Sequence, residues 1–137
     1  MKKNEVVIIP CSGIGKSLGT VGRVATYKVI DHLRPQNTRT ACLALLTVGD
    51  TQTAQLVKEN PCIAVDGCPA QCSMKNIEAS EGKLAYHVIV TNVLREHRKL
   101  KPQGVIELNP EGDQLAEIIA KNIAEKVDEI LAEAKRK

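Results

Sequence analysis

Hydrophobic positions along the chain fall into two textures, short unbroken aliphatic runs and longer stretches with apolar residues three or four apart. The first run covers residues 5–10, a continuous aliphatic segment expected of a central strand in a parallel sheet. Residues 16–34 then place Leu18, Val21, Ala25, Val29 and Leu33 at helical spacing and stop before Pro35. Thr40 to Leu46 is a second apolar run and predicts a second strand. Gly49-Asp50-Thr51 reads as a turn with cap residues, opening a short helix through Leu56 and Val57 that ends at Asn60-Pro61. Residues 62–66 predict a third strand, 69–80 a helix closed near Gly82, and Leu84 to Val90 a fourth strand. Residues 92–100 begin another helix with Glu96, His97 and Arg98 exposed, and Val105-Ile106-Glu107-Leu108 suits a short fifth strand. The clearest element is a final helix over about 111–135. Leu115, Ile118, Ile119, Ile123, Val127, Ile130, Leu131 and Ala134 form one stripe opposite Glu and Lys.

Strands alternating with helices predict an α/β fold, a three-layer Rossmann-like sandwich around a mostly parallel sheet of four to five strands. No repeat or linker divides the chain, so residues 1–137 are expected to form one domain. Ligand sites in such sheets gather beyond the carboxyl ends of the strands. Cys11 follows strand one and Cys68 follows strand three. Cys42 reaches the same edge if strand two is short and the chain turns soon after Ala44.

Composition narrows the function. The 137 residues contain two tyrosines (Tyr27 and Tyr86) and no Phe or Trp, so the core is Val, Ile, Leu and Ala. Stacking platforms for nucleic acid are therefore not expected. A net charge of +3, spread along the chain, permits an anionic ligand without requiring one. No apolar run approaches the ~18 residues of a membrane span, and the basic start at Lys2-Lys3 leads into a strand rather than a signal sequence. A cytoplasmic protein is expected, acting on a small molecule or a protein partner. Five cysteines in that compartment point to thiols or metal ligands rather than structural disulfides.

The most informative segment is Asp66-Gly67-Cys68-Pro69-Ala70-Gln71-Cys72. Pro69 suits the first position of a helix, which makes Cys68 its N-cap and puts Cys72 one turn further on the same face. Free N–H groups and the positive dipole end there favour thiolate. Two side chains one helical turn apart begin ~5–6 Å apart at Cβ, against about 3.5–4.5 Å for a disulfide, so the spacing suits a bridging metal better. The full spacing, Cys11-x30-Cys42-x25-Cys68-x3-Cys72, is not a pair of zinc knuckles. Topology, not local motif, would bring Cys11, Cys42, Cys68 and Cys72 to one edge. Four thiolates suit zinc first, and also an iron–sulfur cluster or Cu(I). Cys62, inside a strand, reads as core. The alternative is a thiol-based redox protein or enzyme, with Cys68 as the nucleophile and Cys72 or Cys11 resolving it.

Pro10-Cys11-Ser12-Gly13-Ile14-Gly15-Lys16-Ser17 lacks only the first glycine of a Walker A loop, and Ile63-Ala64-Val65-Asp66 imitates a Walker B strand. The missing glycine and short chain argue against nucleotide hydrolysis. Phosphate or nucleotide binding by the amides of Gly13, Gly15, Lys16 and Ser17 remains a second alternative. A cysteine phosphatase would need an arginine clamp where Lys16 and Ser17 stand. Among the histidines, His87 reads as a structural strand residue and His32 as incidental, while His97 has two readings, a solvated surface residue and a ligand or base lining the site. Asp66 reads equally as a turn former and as a group that orients the loop.

In order along the chain come Pro10-Cys11-Ser12-Gly13, Cys42-Leu43-Ala44, Val65-Asp66-Gly67-Cys68-Pro69 with Cys72, Val90-Thr91 and His97. This set, over about residues 6–98, resembles the DGC domain family, small proteins to which zinc binding is attributed from their cysteines. The resemblance implies Cys11, Cys42, Cys68 and Cys72 as ligands, leaves Cys62 outside the pattern, and implies no particular reaction.

Overall fold

Val6, Val7, Ile8 and Ile9 have no exposed surface, because β1 (Val6–Pro10) runs through the middle of a sheet covered on both faces. A computed structural model describes residues 5–11, 13 and 15–136. Four strands form the sheet: β1, β2 (Thr38–Thr40), β3 (Pro61–Asp66) and β4 (Lys83–Ile89). Their order is β2-β1-β3-β4 and every pairing is parallel. The fold is thus α/β, a Rossmann-like sandwich, and the sequence expectation of its class holds.

One face carries α1 (Ser17–Lys28), α5 (Val90–Glu96) and α6 (Pro110–Lys135). Val6, Ile8, Ile63, Val65 and Val88 pack there against Val21, Ala25, Leu115, Ile119 and Ile123. The other face carries α2 (Leu43–Thr47), α3 (Thr51–Glu59) and α4 (Cys72–Ala79). Val7, Ile9, Cys62 and Ala64 meet Leu43, Leu46, Val57 and Ile77. Strict alternation along β1 and β3 divides the two cores. Asp50 caps α3 by accepting the N–H of Thr53 at 2.9 Å, and Asn109 caps α6 by accepting that of Gly112 at 2.8 Å, with Pro110 in the first turn.

Three expectations are corrected. The second apolar run is not a strand beyond Thr40: Leu43–Thr47 is helical, burying Leu43 and Leu46 three apart and leaving Leu45 exposed. Leu and Ala are strong helix formers, and this period is not that of a strand. The fourth helix starts at Cys72 rather than Pro69, because Gln71 takes a left-handed conformation with φ 59°. Val105 to Leu108 forms no strand. Gly104, at φ 104°, turns the chain, and Asn109 pins the loop to Gln103 and Lys101. Val105 and Ile106 are left exposed. No helix among the described residues is long and apolar enough to cross a membrane.

Candidate functional site

The strand order reverses direction between β1 and β3, and the loops leaving these two strands share the crevice that such a switch opens. Cys11 leaves β1 with its N–H still bonded to Val65 O at 2.8 Å. Its Sγ accepts the Gly67 N–H at 3.5 Å, so the first thiol is tied to the second loop. Both loops press on the first turn of α1. A Cβ on Gly19 would lie 2.5 Å from Gly13 O, and one on Gly67 would lie 3.0 Å from Gly19 N. Gly13 also has φ 46°, which side chains disfavour. Cys11 and Cys68 line one cavity of about 450 Å³ with Lys16, Ser17, Leu94 and Pro102.

Cys72 is the first residue of α4, and its place follows from Asp66. Asp66 is 1 % exposed. Its Oδ1 accepts Ser73 N–H at 2.8 Å, and its Oδ2 accepts Met74 N–H at 3.2 Å. His87 Nε2 stands 2.7 Å from the same Oδ2. The carboxylate therefore satisfies two orphan donors of α4 from outside the helix, doing what Gln71 at the cap position does not. Ser73 Oγ donates to Ile9 O at 2.6 Å, fastening α4 to β1. Both oxygens of Asp66 thereby have protein partners.

Burial pushes the Cys11 thiol up, opposed by the Gly67 N–H and reinforced by the charges of Asp66, Cys68 and Cys72. Cys11, Cys68 and Cys72 thus share one electrostatic neighbourhood. Cys42 is exposed and lines another cavity with Arg39, Thr40 and Thr51. It does lie on the same sheet edge, because β2 is short, and it opens α2, which packs against α4. Cys62 is buried with its sulfur against Asn60 O and Val57 O. Burial pushes its thiol up to about 12, so it is core. Among the described residues no three His, Cys, Asp or Glu side chains are grouped to hold a metal ion.

Of the anion loop, Lys16 is exposed with its N–H spent on Gly13 O at 3.1 Å, as in a plain turn. Ser12 and Ile14 lie outside the described residues. His97 faces a different groove, with Tyr86, Asn92 and Lys121, and His32 is exposed in a π-helical turn after α1. His87 is the structural strand residue the sequence predicts, and Asp66 is its partner.

The model of the DGC domain matches residues 7–122, which include all five cysteines, Asp66 and His87. The chain belongs to the DGC domain family. No curated protein and no solved structure matches it. In this DGC domain the Asp-Gly-Cys segment supplies three distinct things: a carboxylate that caps α4, a close backbone contact with α1, and a thiol in the switch-point cavity.

Proposed function

We propose that this DGC domain binds one thiophilic metal ion, zinc foremost, through Cys11, Cys68 and Cys72, with Cys42 as the fourth donor. The observation that carries this reading is the meeting of Cys11 and Cys68 in one cavity at the switch point, with Cys72 on the helix that Asp66 anchors beside it. Three thiols and a buried carboxylate crowd negative charge whenever the thiols ionise, and a divalent cation relieves that crowding. Thiolate sulfur suits zinc, and four such donors would make a closed site for structure, metal handling or partner recognition. Closing it requires the turn between Gly67 and Gln71, held by Gln71 N–H to Cys68 O at 3.3 Å, to adjust.

Elemental analysis of protein purified without added metal tests this. About one zinc per chain in the wild type, largely lost in Cys68→Ser, is expected. Less than ~0.2 metal per chain with an unchanged melting temperature in chelator overturns it.

A second reading, thiol exchange, is favoured by the exposure of Cys72 at the first residue of α4. Cys68 and Cys72 would form a disulfide, passing two electrons and two protons to a partner disulfide that becomes two thiols. Rapid alkylation of Cys68 that does not change on chelation supports it. Labelling that speeds up only after chelation supports the metal.

A further inference from the structure

Beside the cysteine cavity, and sharing Leu94 and Pro102 with it as a common wall, lies a second cavity of about 430 Å³. Arg95, Arg98 and Lys101 stand around it, over an apolar surface from Leu94, Leu100 and Pro102. None of these three cations has an ion-pair partner among the described residues. Glu111 meets Lys101 only at the backbone, where its Oε1 accepts the N–H at 3.2 Å. Thr91 lines the same cavity, and its buried Oγ1 has no hydrogen-bond partner among the described residues.

We propose that this cavity is a binding site for a small organic phosphate. Its charged head would sit among Arg95, Arg98 and Lys101, and its apolar body would lie on Leu94 and Pro102 towards the cysteine cavity. Three cations match a phosphate dianion better than a single carboxylate. Two guanidinium groups add the planar, paired donors that phosphate oxygens accept. The apolar wall accounts for an organic body, since inorganic phosphate would leave it uncovered. The two cavities together have the volume of an ordinary small-molecule site. The proposal does not rest on the metal reading, because the groups that hold the charged head, Arg95, Arg98 and Lys101, are not among the proposed ligands.

The test is calorimetric titration of the full chain with phenyl phosphate, with phenol as the uncharged control and metal content measured on the same sample. Binding below about 1 mM is expected, with phenol at least about tenfold weaker. Arg95→Gln/Arg98→Gln should weaken phenyl phosphate about tenfold or more while the melting temperature holds, both side chains being exposed. Lys121→Gln/Lys135→Gln, on α6, should leave it unchanged. No binding at about 10 mM, equal binding by the double arginine variant, or equal losses in the α6 control overturns the proposal. Metal-free protein that binds phenyl phosphate would count against the metal reading alone.

Discussion

Asp66 Oδ2 and His87 Nε2 lie 2.7 Å apart, bridging the ends of neighbouring strands on the face covered by α4. The same carboxylate caps α4 through Ser73 and Met74. The acid of the Asp-Gly-Cys segment is thus a structural clasp that fixes where Cys72 begins its helix.

Asp66→Ala should therefore be costly. It leaves two helix N–H groups and a histidine without their acceptor in a buried place, a loss on the order of 3 kcal/mol. For a chain of this size that corresponds to a fall of roughly 10 °C in melting temperature. Asp66→Asn keeps one acceptor oxygen and should lose less. Thermal circular dichroism reads both, and an Ala variant that melts with the wild type would refute the clasp.

Gly19→Ala should fail for a different reason. Its methyl group would meet Gly13 O at 2.5 Å, backbone against backbone, with no flexible side chain to yield. The two cysteine loops would be pushed off α1, so a loss of about 2 kcal/mol or more is expected, with a matching drop in bound metal. Gly49→Ala is the comparison. Gly49, unlike Gly19, has a positive φ, but nothing lies within 4 Å of its added carbon, so it should pay only the backbone cost of about 1 kcal/mol and leave metal binding intact.

Alkaline stability should carry the signature of Cys62. Its thiol is raised from 9.0 to about 12 by burial, so above pH 9 the unfolded chain loses this proton while the folded chain keeps it. Fewer protons on the unfolded state mean that stability falls as pH rises, by about 1.4 kcal/mol per pH unit at most from this group. The contribution is complete below pH 9 and is lost towards 12. Cys62→Ala should flatten that decline in denaturant titrations between pH 9 and 11, relative to wild type. Parallel slopes would contradict it.

Arg34 and Asp128 form a paired contact at 2.8 and 2.7 Å between the end of the first helical segment and α6. Short distances do not make it strong, because Asp128 is 55 % exposed. Asp128→Asn should cost no more than about 1 kcal/mol, and less in high salt. Its carboxyl is held below the usual value by Arg34, so whatever it contributes is present above pH 3.8 and fades as pH falls below that. A loss comparable with that of Asp66→Ala would show that burial is not what separates the two carboxylates.

The fold class and most elements were legible in the sequence because aliphatic runs and helical spacing are local signals. The start of α4 was not. Pro69 and Cys68 make a good local cap, but Asp66, engaged with Ser73 and Met74, moves the start to Cys72. The structural role of His87 was legible, but its partner was hidden by register. An irregularity at Cys62/Ile63 lets Leu84 pair with Cys62 but Tyr86 with Ile63, which puts His87 opposite Ala64. Without that extra residue His87 would oppose Val65 and face the other core. Cys11 and Cys68 were legible as neighbours because both follow central strands. The position of Cys42 depended on where β2 stops, and its short three-residue length left no pattern to read.

The central claim is that the thiols of Cys11, Cys68 and Cys72 hold a metal together. Zinc K-edge X-ray absorption on protein purified without added metal tests it most directly. The account predicts a sulfur shell at about 2.3 Å with three to four scatterers, falling when Cys68 is replaced by Ser. A sample with no zinc edge, or one whose only shell is nitrogen and oxygen at about 2.0–2.1 Å, would contradict it.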